Sequence, residues 1–163
     1  MDILEFALEK EKISEESYRE LARRAENSGL KKIFIMLADE EAGHSRVIEG
    51  IIQDISPVLV QTQVLAKATN IFKMIRNSVE EFDFATDELE VYRQARDREA
   101  KSRDFYQQKS EEVEDSLEKE IFARLAGEEE KHYILLDNIC DFVSEPECYL
   151  EDAEFVHLQD YQA

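Results

Sequence analysis

Two short segments of the chain have nearly the same sequence, and each ends in a histidine. LADEEAGH occupies residues 37–44 and LAGEEEKH occupies residues 125–132, so the copies start 88 positions apart. A glutamate precedes each histidine by three residues, as Glu41 precedes His44 and Glu129 precedes His132. Residues three apart on a helix share a face and lie about 5–6 Å apart. Each copy can therefore present a carboxylate and an imidazole to one metal ion.

Further residues recur at the same offset of 88, without a gap. They include an acidic residue, an aromatic residue and small or apolar residues of the preceding segment: Glu11 and Glu99, Ser14 and Ser102, Tyr18 and Tyr106, Ile33 and Ile121, Phe34 and Phe122. Such extended self-similarity indicates an internal duplication rather than a chance motif. The duplication adds Glu11 and Glu99 to the candidate ligands.

Neighbouring carboxylates are alternatives to these ligands. Glu15 and Glu16 compete with Glu11, but Glu15 corresponds to Arg103 in the second copy, so the repeat favours Glu11. Glu40 and Glu128 also recur. They stand one residue off the ligand face, which favours a solvated role or a supporting role beside the site over ligation.

The spacing of apolar residues predicts the elements that position these side chains. Steps of three and four predict long helices over 3–26, 30–54, 87–114 and 117–143, with short turns inside each half. Short turns make each pair antiparallel. We expect one bundle over 1–143, in which 1–54 and 87–143 are the repeat halves and 55–86 is a crossover holding a shorter helix. Residues 144–163, with His157 as a packed residue, form a C-terminal tail on the bundle.

Composition supports an all-α protein and excludes several functions. Helix-forming residues abound, whereas glycine occurs four times and proline twice. The net charge of −19 argues against nucleic acid or an anionic membrane as a partner. The two cysteines, Cys140 and Cys148, form no CxxC motif. No apolar run has the length of a membrane span, and the first residues lack a signal-peptide pattern. These features predict a cytoplasmic protein.

The helices bring four glutamates and two histidines to one bundle centre. Buried carboxylates without partners are costly, and two divalent cations balance four carboxylates beside two neutral imidazoles. Ferritin-like dinuclear proteins have this pattern: two helices contribute one Glu each, and the other two contribute Glu-x-x-His. Their bundles have one long crossover. Tyr18 and Tyr106 have two interpretations: plain core residues, or residues whose hydroxyls orient the ligand carboxylates.

Over nearly its whole length the sequence resembles the rubrerythrin-related branch of the ferritin-like superfamily. The resemblance is carried by LADEEAGH, by LAGEEEKH, and by a tyrosine seven residues after each outer glutamate, as in Glu11 with Tyr18 and Glu99 with Tyr106. Two features differ from rubrerythrins proper. The sequence has no paired CxxC motifs of a rubredoxin domain, and Arg96 stands where the family has an additional glutamate ligand.

The resemblance implies a stand-alone, erythrin-like diiron protein. Its metal ligands would be Glu11, Glu41, His44, Glu99, Glu129 and His132, with Glu41 and Glu129 bridging two iron ions and Glu11 and Glu99 capping them. The implied activity is that of a non-haem oxidoreductase that reduces hydrogen peroxide or dioxygen. Electrons would come from an external donor, a rubredoxin-like protein or a flavoprotein, and the protein would be a homodimer.

Two other functions fit the same residues. One is an iron-binding or ferroxidase module in iron handling. The other is a structural bundle that holds zinc or manganese without catalysis, because carboxylate and imidazole ligands do not select iron alone.

Overall fold

All regular secondary structure in the described part of the chain is helical. The computed structural model describes residues 2–152 together with Phe155 and Leu158, so His157 lies outside the described residues. The described residues form α1 (Ile3–Arg24), α2 (Ser28–Ile52), α3 (Val64–Arg76), α4 (Glu88–Glu112), α5 (Ser116–Ser144) and α6 (Pro146–Glu151). The all-α class is confirmed, and the order of helices is consistent with a ferritin-like bundle. None of these helices combines the length and the apolar character that crossing a membrane requires.

The four long helices begin and end within two residues of the predicted bounds. Three of them start at a side chain that accepts a hydrogen bond from the first turn: Asp2 from the Glu5 N–H, Asn27 from the Leu30 N–H, and Asp115 from the Glu118 N–H. Such caps satisfy N–H groups that lack a partner within the helix. The first residues of these helices are therefore determined by local chemistry that can be identified in the sequence.

Contacts between residues divide the chain into two compact units, unit 1 (Met1–Thr62) and unit 2 (Gln63–Ala163). In unit 1, ion pairs join α1 to α2 between Lys12 and Glu49 at 3.5 Å and between Arg19 and Asp39 at 3.1 Å. Residue numbers rise along α1 as those of their partners fall along α2. The two helices are therefore antiparallel, as the short connection between them requires.

Helix α2 ends in a left-handed turn at Asp54, whose φ is 56°. The Ile55 N–H donates to the Gly50 carbonyl at 2.8 Å, and the Asp54 N–H donates to the Ile51 carbonyl at 3.1 Å. This pair of bonds is the Schellman arrangement, which satisfies carbonyls at the helix end. The chain then continues without regular structure to Gln63, and Val58 and Val60 are 81% and 79% exposed.

In unit 2 the pair α4 and α5 is again antiparallel. Arg96 pairs with Asp137 at 3.1 Å, and Arg103 pairs with Glu130 at 2.6 Å. Both ion pairs join the two helices, and their residue numbers again run in opposite directions. These contacts give unit 2 its own helix pair, equivalent to the pair in unit 1.

Helices α3 and α6 contribute to an aromatic cluster in unit 2. Phe72 of α3 contacts Phe142 edge to face at a centroid distance of 5.5 Å and Tyr149 of α6 at 5.0 Å. Phe155 is fully buried and lies 5.6 Å from the Tyr149 ring. Helix α6, which starts at Pro146, was not expected from the sequence. The predicted domain bounds, with a bundle over 1–143 and a tail over 144–163, stay a prediction.

Candidate metal centre

Unit 1 brings together one carboxylate from α1 and a carboxylate and an imidazole from α2. The His44 Nδ1 atom lies 3.5 Å from Oε2 of Glu11 and 3.5 Å from Oε2 of Glu41. All three residues are buried, with exposed fractions of 2%, 1% and 3% for Glu11, Glu41 and His44. We call these three residues the unit 1 triad.

Unit 2 contains the equivalent set. The His132 Nδ1 atom lies 3.8 Å from Oε2 of Glu99 on α4 and 3.7 Å from Oε2 of Glu129 on α5. His132 is fully buried, and Glu99 and Glu129 are 3% and 1% exposed. These residues form the unit 2 triad, so each half of the repeat holds its own Glu, Glu and His.

Local helix geometry accounts for both triads. Glu41 and His44 are three apart on α2, and Glu129 and His132 are three apart on α5, so each pair projects from one face. The outer glutamate comes from the antiparallel partner helix, where it lies on the buried side with Ala7 in α1 or Ala95 in α4. A small residue one turn before each glutamate leaves room for the facing side chains.

The donor atoms suit a divalent cation. Within each triad, one ligand atom per residue lies within 4.8 Å of the others. Donors held about 2.0–2.2 Å from one ion are separated from each other by about 3–3.5 Å in tetrahedral or octahedral geometry. The distances from Nδ1 to the carboxylates are therefore close to those of a coordinated ion. The set of two carboxylates and one imidazole suits zinc, manganese and iron.

The alternative first-helix ligands make other contacts. Glu15 accepts from Arg19 at 2.9 Å, and Glu16 accepts from Arg23 at 2.8 Å, an ion pair on the surface. Glu11 is the residue of this group that lies beside His44. The choice of Glu11 from the repeat therefore agrees with its burial, although its role as a ligand stays a prediction.

The recurring neighbours Glu40 and Glu128 differ from each other. The Thr62 hydroxyl lies 2.6 Å from Oε1 of Glu40 and 2.5 Å from Oε2, and Thr62 is 4% exposed. Glu128 is 6% exposed, so the solvated role considered for it is wrong. The adjacent residues Glu128 and Glu129 of α5 are both buried. Neighbouring residues therefore cover a wider part of this helix than the spacing of its apolar residues predicts.

Arg96, one turn before Glu99, is directed to α5. Its guanidinium contacts Asp137 at 3.1 Å and Asp97 at 3.2 Å. The side chain is 24% exposed. At this position unit 2 thus has an interhelical ion pair in place of an additional carboxylate ligand.

Tyr18 and Tyr106 are both 1% exposed, so the repeat places an aromatic ring at the same buried level of each unit. The Tyr106 ring stacks on Phe122 at a centroid distance of 6.0 Å and meets Phe105 edge to face at 5.3 Å. This packing fits the interpretation as core residues. The second interpretation, that the hydroxyls orient the ligand carboxylates, stays a prediction.

Sequence reasoning did not identify Thr62 as a partner of Glu40. Thr62 lies in the predicted crossover, 22 residues beyond Glu40, and no period connects the two. The sequence gives no signal that this threonine is buried, so the contact could be found only in the structure.

An all-α chain with paired Glu and Glu-x-x-His triads has the residue pattern of the ferritin-like dinuclear carboxylate proteins. Comparison with known families gives a match of the Rubrerythrin family over residues 2–140. The chain therefore belongs to the rubrerythrin family, as the resemblance of the sequence indicated. Comparisons with curated proteins and with solved structures give no significant match.

Proposed function

We propose that the two triads together hold two iron ions, and that the protein is a non-haem diiron oxidoreductase that reduces hydrogen peroxide or dioxygen. The observation that carries the proposal is the presence of a buried Glu, Glu and His set in each half of a rubrerythrin-family chain. In this proposal Glu11, Glu41, Glu99 and Glu129 would supply the carboxylate ligands, in the roles that the family resemblance implies. His44 and His132 are the nitrogen ligands.

Charge balance supports two divalent ions. Four buried carboxylates carry four negative charges, and the two imidazoles bind a metal in their neutral form. Bound iron supplies one-electron chemistry and holds a small oxygen substrate in place. The chain itself provides a water-poor environment, since all six residues are at most 3% exposed. It also orients each imidazole through its Nδ1 atom toward two carboxylates.

The proposed partners follow from the family and from the chemistry. Reduction of peroxide to water needs two electrons and two protons, and the electrons would come from an external donor, a rubredoxin-like protein or a flavoprotein. Both cysteines are free thiols, one buried and one exposed, which is typical of a reducing compartment. We therefore propose a cytoplasmic protein, and we propose a homodimer on the family resemblance. Neither nucleic acid nor a membrane is a proposed partner.

Metal content and single-turnover kinetics test the proposal. Protein purified without added metal should contain iron, and apoprotein reconstituted anaerobically with ferrous iron should bind two ions per chain. Stopped-flow mixing with peroxide should oxidise both ions faster than mixing with dioxygen does. A donor should then restore the ferrous state over repeated cycles.

The same experiment distinguishes the two alternatives. Fast oxidation by dioxygen followed by release of ferric iron would indicate a ferroxidase module in iron handling. Stoichiometric zinc or manganese, with no reaction after iron loading, would indicate a structural metal bundle and would contradict the proposed activity.

A further inference from the structure

The irregular segment after α2 leaves two valines open to solvent. Val58 and Val60 are 81% and 79% exposed, whereas Leu59 between them is 8% exposed. One buried residue between two exposed ones is the side-chain pattern of an extended strand, whose successive residues point to opposite faces. We call residues 57–61 the open segment.

The open segment also has main-chain groups that no hydrogen bond uses. Within the described part of the chain, the N–H and C=O groups of Val58 and Val60 have no hydrogen-bond partner. In an extended strand, residues two apart direct these groups to the same edge. One edge of the open segment therefore presents two donors and two acceptors to solvent, as the edge strand of a sheet does.

The charge of the chain narrows the choice of partner. Residues 55–66 contain no charged side chain, although the chain has 20 basic and 39 acidic residues. A net charge of −19 makes two copies repel each other across most of their surfaces. Their approach is least opposed where both surfaces lack charge, as they do at the open segment. Ile55, which is 58% exposed, adds to the apolar surface there.

We propose that the open segment pairs with the same segment of a second copy, as two antiparallel strands related by a two-fold axis. The inference rests on the homodimer of the proposed function and names its contact surface, and it does not depend on the metal chemistry. A two-fold contact uses the same surface on both copies, so this surface must be complementary to itself.

The spacing of the unpaired main-chain groups meets that requirement. When Leu59 of one copy stands opposite Leu59 of the other, Val58 stands opposite Val60 on both sides of the axis. Opposite residues of this kind exchange two hydrogen bonds, so the two pairs form four bonds and satisfy the N–H and C=O groups of all four valines. The valine side chains also become cross-strand neighbours on one face, where β-branched residues pack well.

Pro57 agrees with this register. Proline has no N–H to donate, so it is tolerated only where the strand needs no donor. The register sets Pro57 opposite Gln61 of the second copy, at a position where main-chain groups point away from the partner strand. The missing donor therefore costs no bond between the copies.

The mass of the full-length protein in solution tests the contact. Sedimentation velocity should give about twice the chain mass of 19.1 kDa. Val60→Pro removes a donor from each copy, and thus two of the four bonds, and should raise the dimer dissociation constant about thirtyfold. Val79→Pro is the matched control, because Val79 is another exposed valine whose N–H has no partner among the described residues, and it should leave the constant unchanged. Thermal unfolding shows whether each variant is folded.

The outcomes separate this inference from the proposed activity. A protein that sediments as one chain, or equal weakening by Val60→Pro and Val79→Pro, would overturn the inference. If such a single chain still oxidised its iron with peroxide, the proposed activity would stand without the contact. A dimer that Val60→Pro dissociates but that does not react with peroxide would support the contact and contradict the activity.

Cysteine pairing tests the register, and it does not require the proline variant to fold. Opposite residues of a hydrogen-bonded pair have Cα atoms about 5.5 Å apart, within the range of about 4.4–6.8 Å that a disulfide spans. The test uses a Cys148→Ser background, because Cys148 is an exposed free thiol. A mixture of Val58→Cys and Val60→Cys chains should form linked dimers on mild oxidation.

Either cysteine variant alone should form several-fold less linked dimer. Identical residues would lie about 8.7 Å apart, because a rise of about 3.4 Å for each of two residues adds to the distance across the pair. Equal yields from the mixture and from the single variants, or no linked dimer from the mixture, would overturn the proposed pairing.

Discussion

The Thr62 hydroxyl lies between the two carboxylate oxygens of Glu40, 2.6 Å from Oε1 and 2.5 Å from Oε2. Thr62 is 4% exposed and lies near the end of the irregular segment after α2. The contact ties the end of this segment back to the middle of α2, next to the candidate ligand Glu41. It gives the recurring residue Glu40 a structural role.

Thr62→Val should destabilise the protein. The substitution keeps the shape of the side chain but removes the hydroxyl donor from a partly buried carboxylate, a loss of about 1–3 kcal/mol in the free energy of unfolding. Chemical denaturation monitored by circular dichroism measures it. Thr62→Ser retains the donor and should lose less than half as much. Equal losses in the two variants would show that the methyl group, and not the hydrogen bond, stabilises this position.

Glu41→Ala and Glu129→Ala should abolish most metal binding while the apoprotein stays folded. Each removes a carboxylate that lies within 4 Å of a histidine Nδ1 atom, at 3.5 Å for Glu41 and 3.7 Å for Glu129. Equilibrium dialysis followed by elemental analysis gives the number of ions bound. Glu40→Gln and Glu128→Gln are the matched controls and should reduce binding much less. If the controls were equally damaging, the assignment of ligands along the helices would be one residue out of register.

Gly127→Ala should stabilise α5. A Cβ atom built at Gly127 meets no atom within 4 Å among the described residues, and alanine favours a helix interior over glycine by about 1 kcal/mol. The melting temperature of the apoprotein should therefore rise. Gly50→Ala is the control, because its Cβ would lie 3.2 Å from the Cβ of Pro57. It should give no gain, and an equal gain at both positions would contradict the steric argument.

Stability should depend on Cys140 at alkaline pH. Burial raises the pKa of the Cys140 thiol from 9.0 to about 11. The folded state holds this proton more tightly than the unfolded state, so the contribution to stability is complete below pH 9 and is lost as the pH rises toward 11. The difference in unfolding free energy between the unchanged protein and Cys140→Ala should shrink over that interval. A constant difference would mean that the thiol is not protected from solvent.

Much of this architecture could be predicted because it is periodic. Apolar residues that recur every three or four positions identify the buried faces of α1, α2, α4 and α5. Cap residues such as Asn27 and Asp115 determine where helices begin. Burial of Glu11 and Glu99 was predictable for a related reason. The repeat assigned the same role to two positions, which removed the competing choice of Glu15.

The remaining features depend on contacts that have no period. The Arg96–Asp137 pair joins residues 41 apart, and the Thr62–Glu40 contact joins residues 22 apart, so both require knowledge of which helices pack together. Burial of Glu128 likewise depends on how many neighbours cover α5. Helix α6 is six residues long, too short for a periodic signal.

The exposed segment after α2 determines how the chain can be cut. Between Arg46 and Lys67 there is no lysine or arginine, so trypsin finds no site in this connection even though Val58 and Val60 are 81% and 79% exposed. Elastase cleaves after small aliphatic residues and can act there. A single elastase cut would divide the chain into two fragments, each containing the residues of one triad. The fragments would make it possible to ask of each half separately whether it folds and whether it binds one ion.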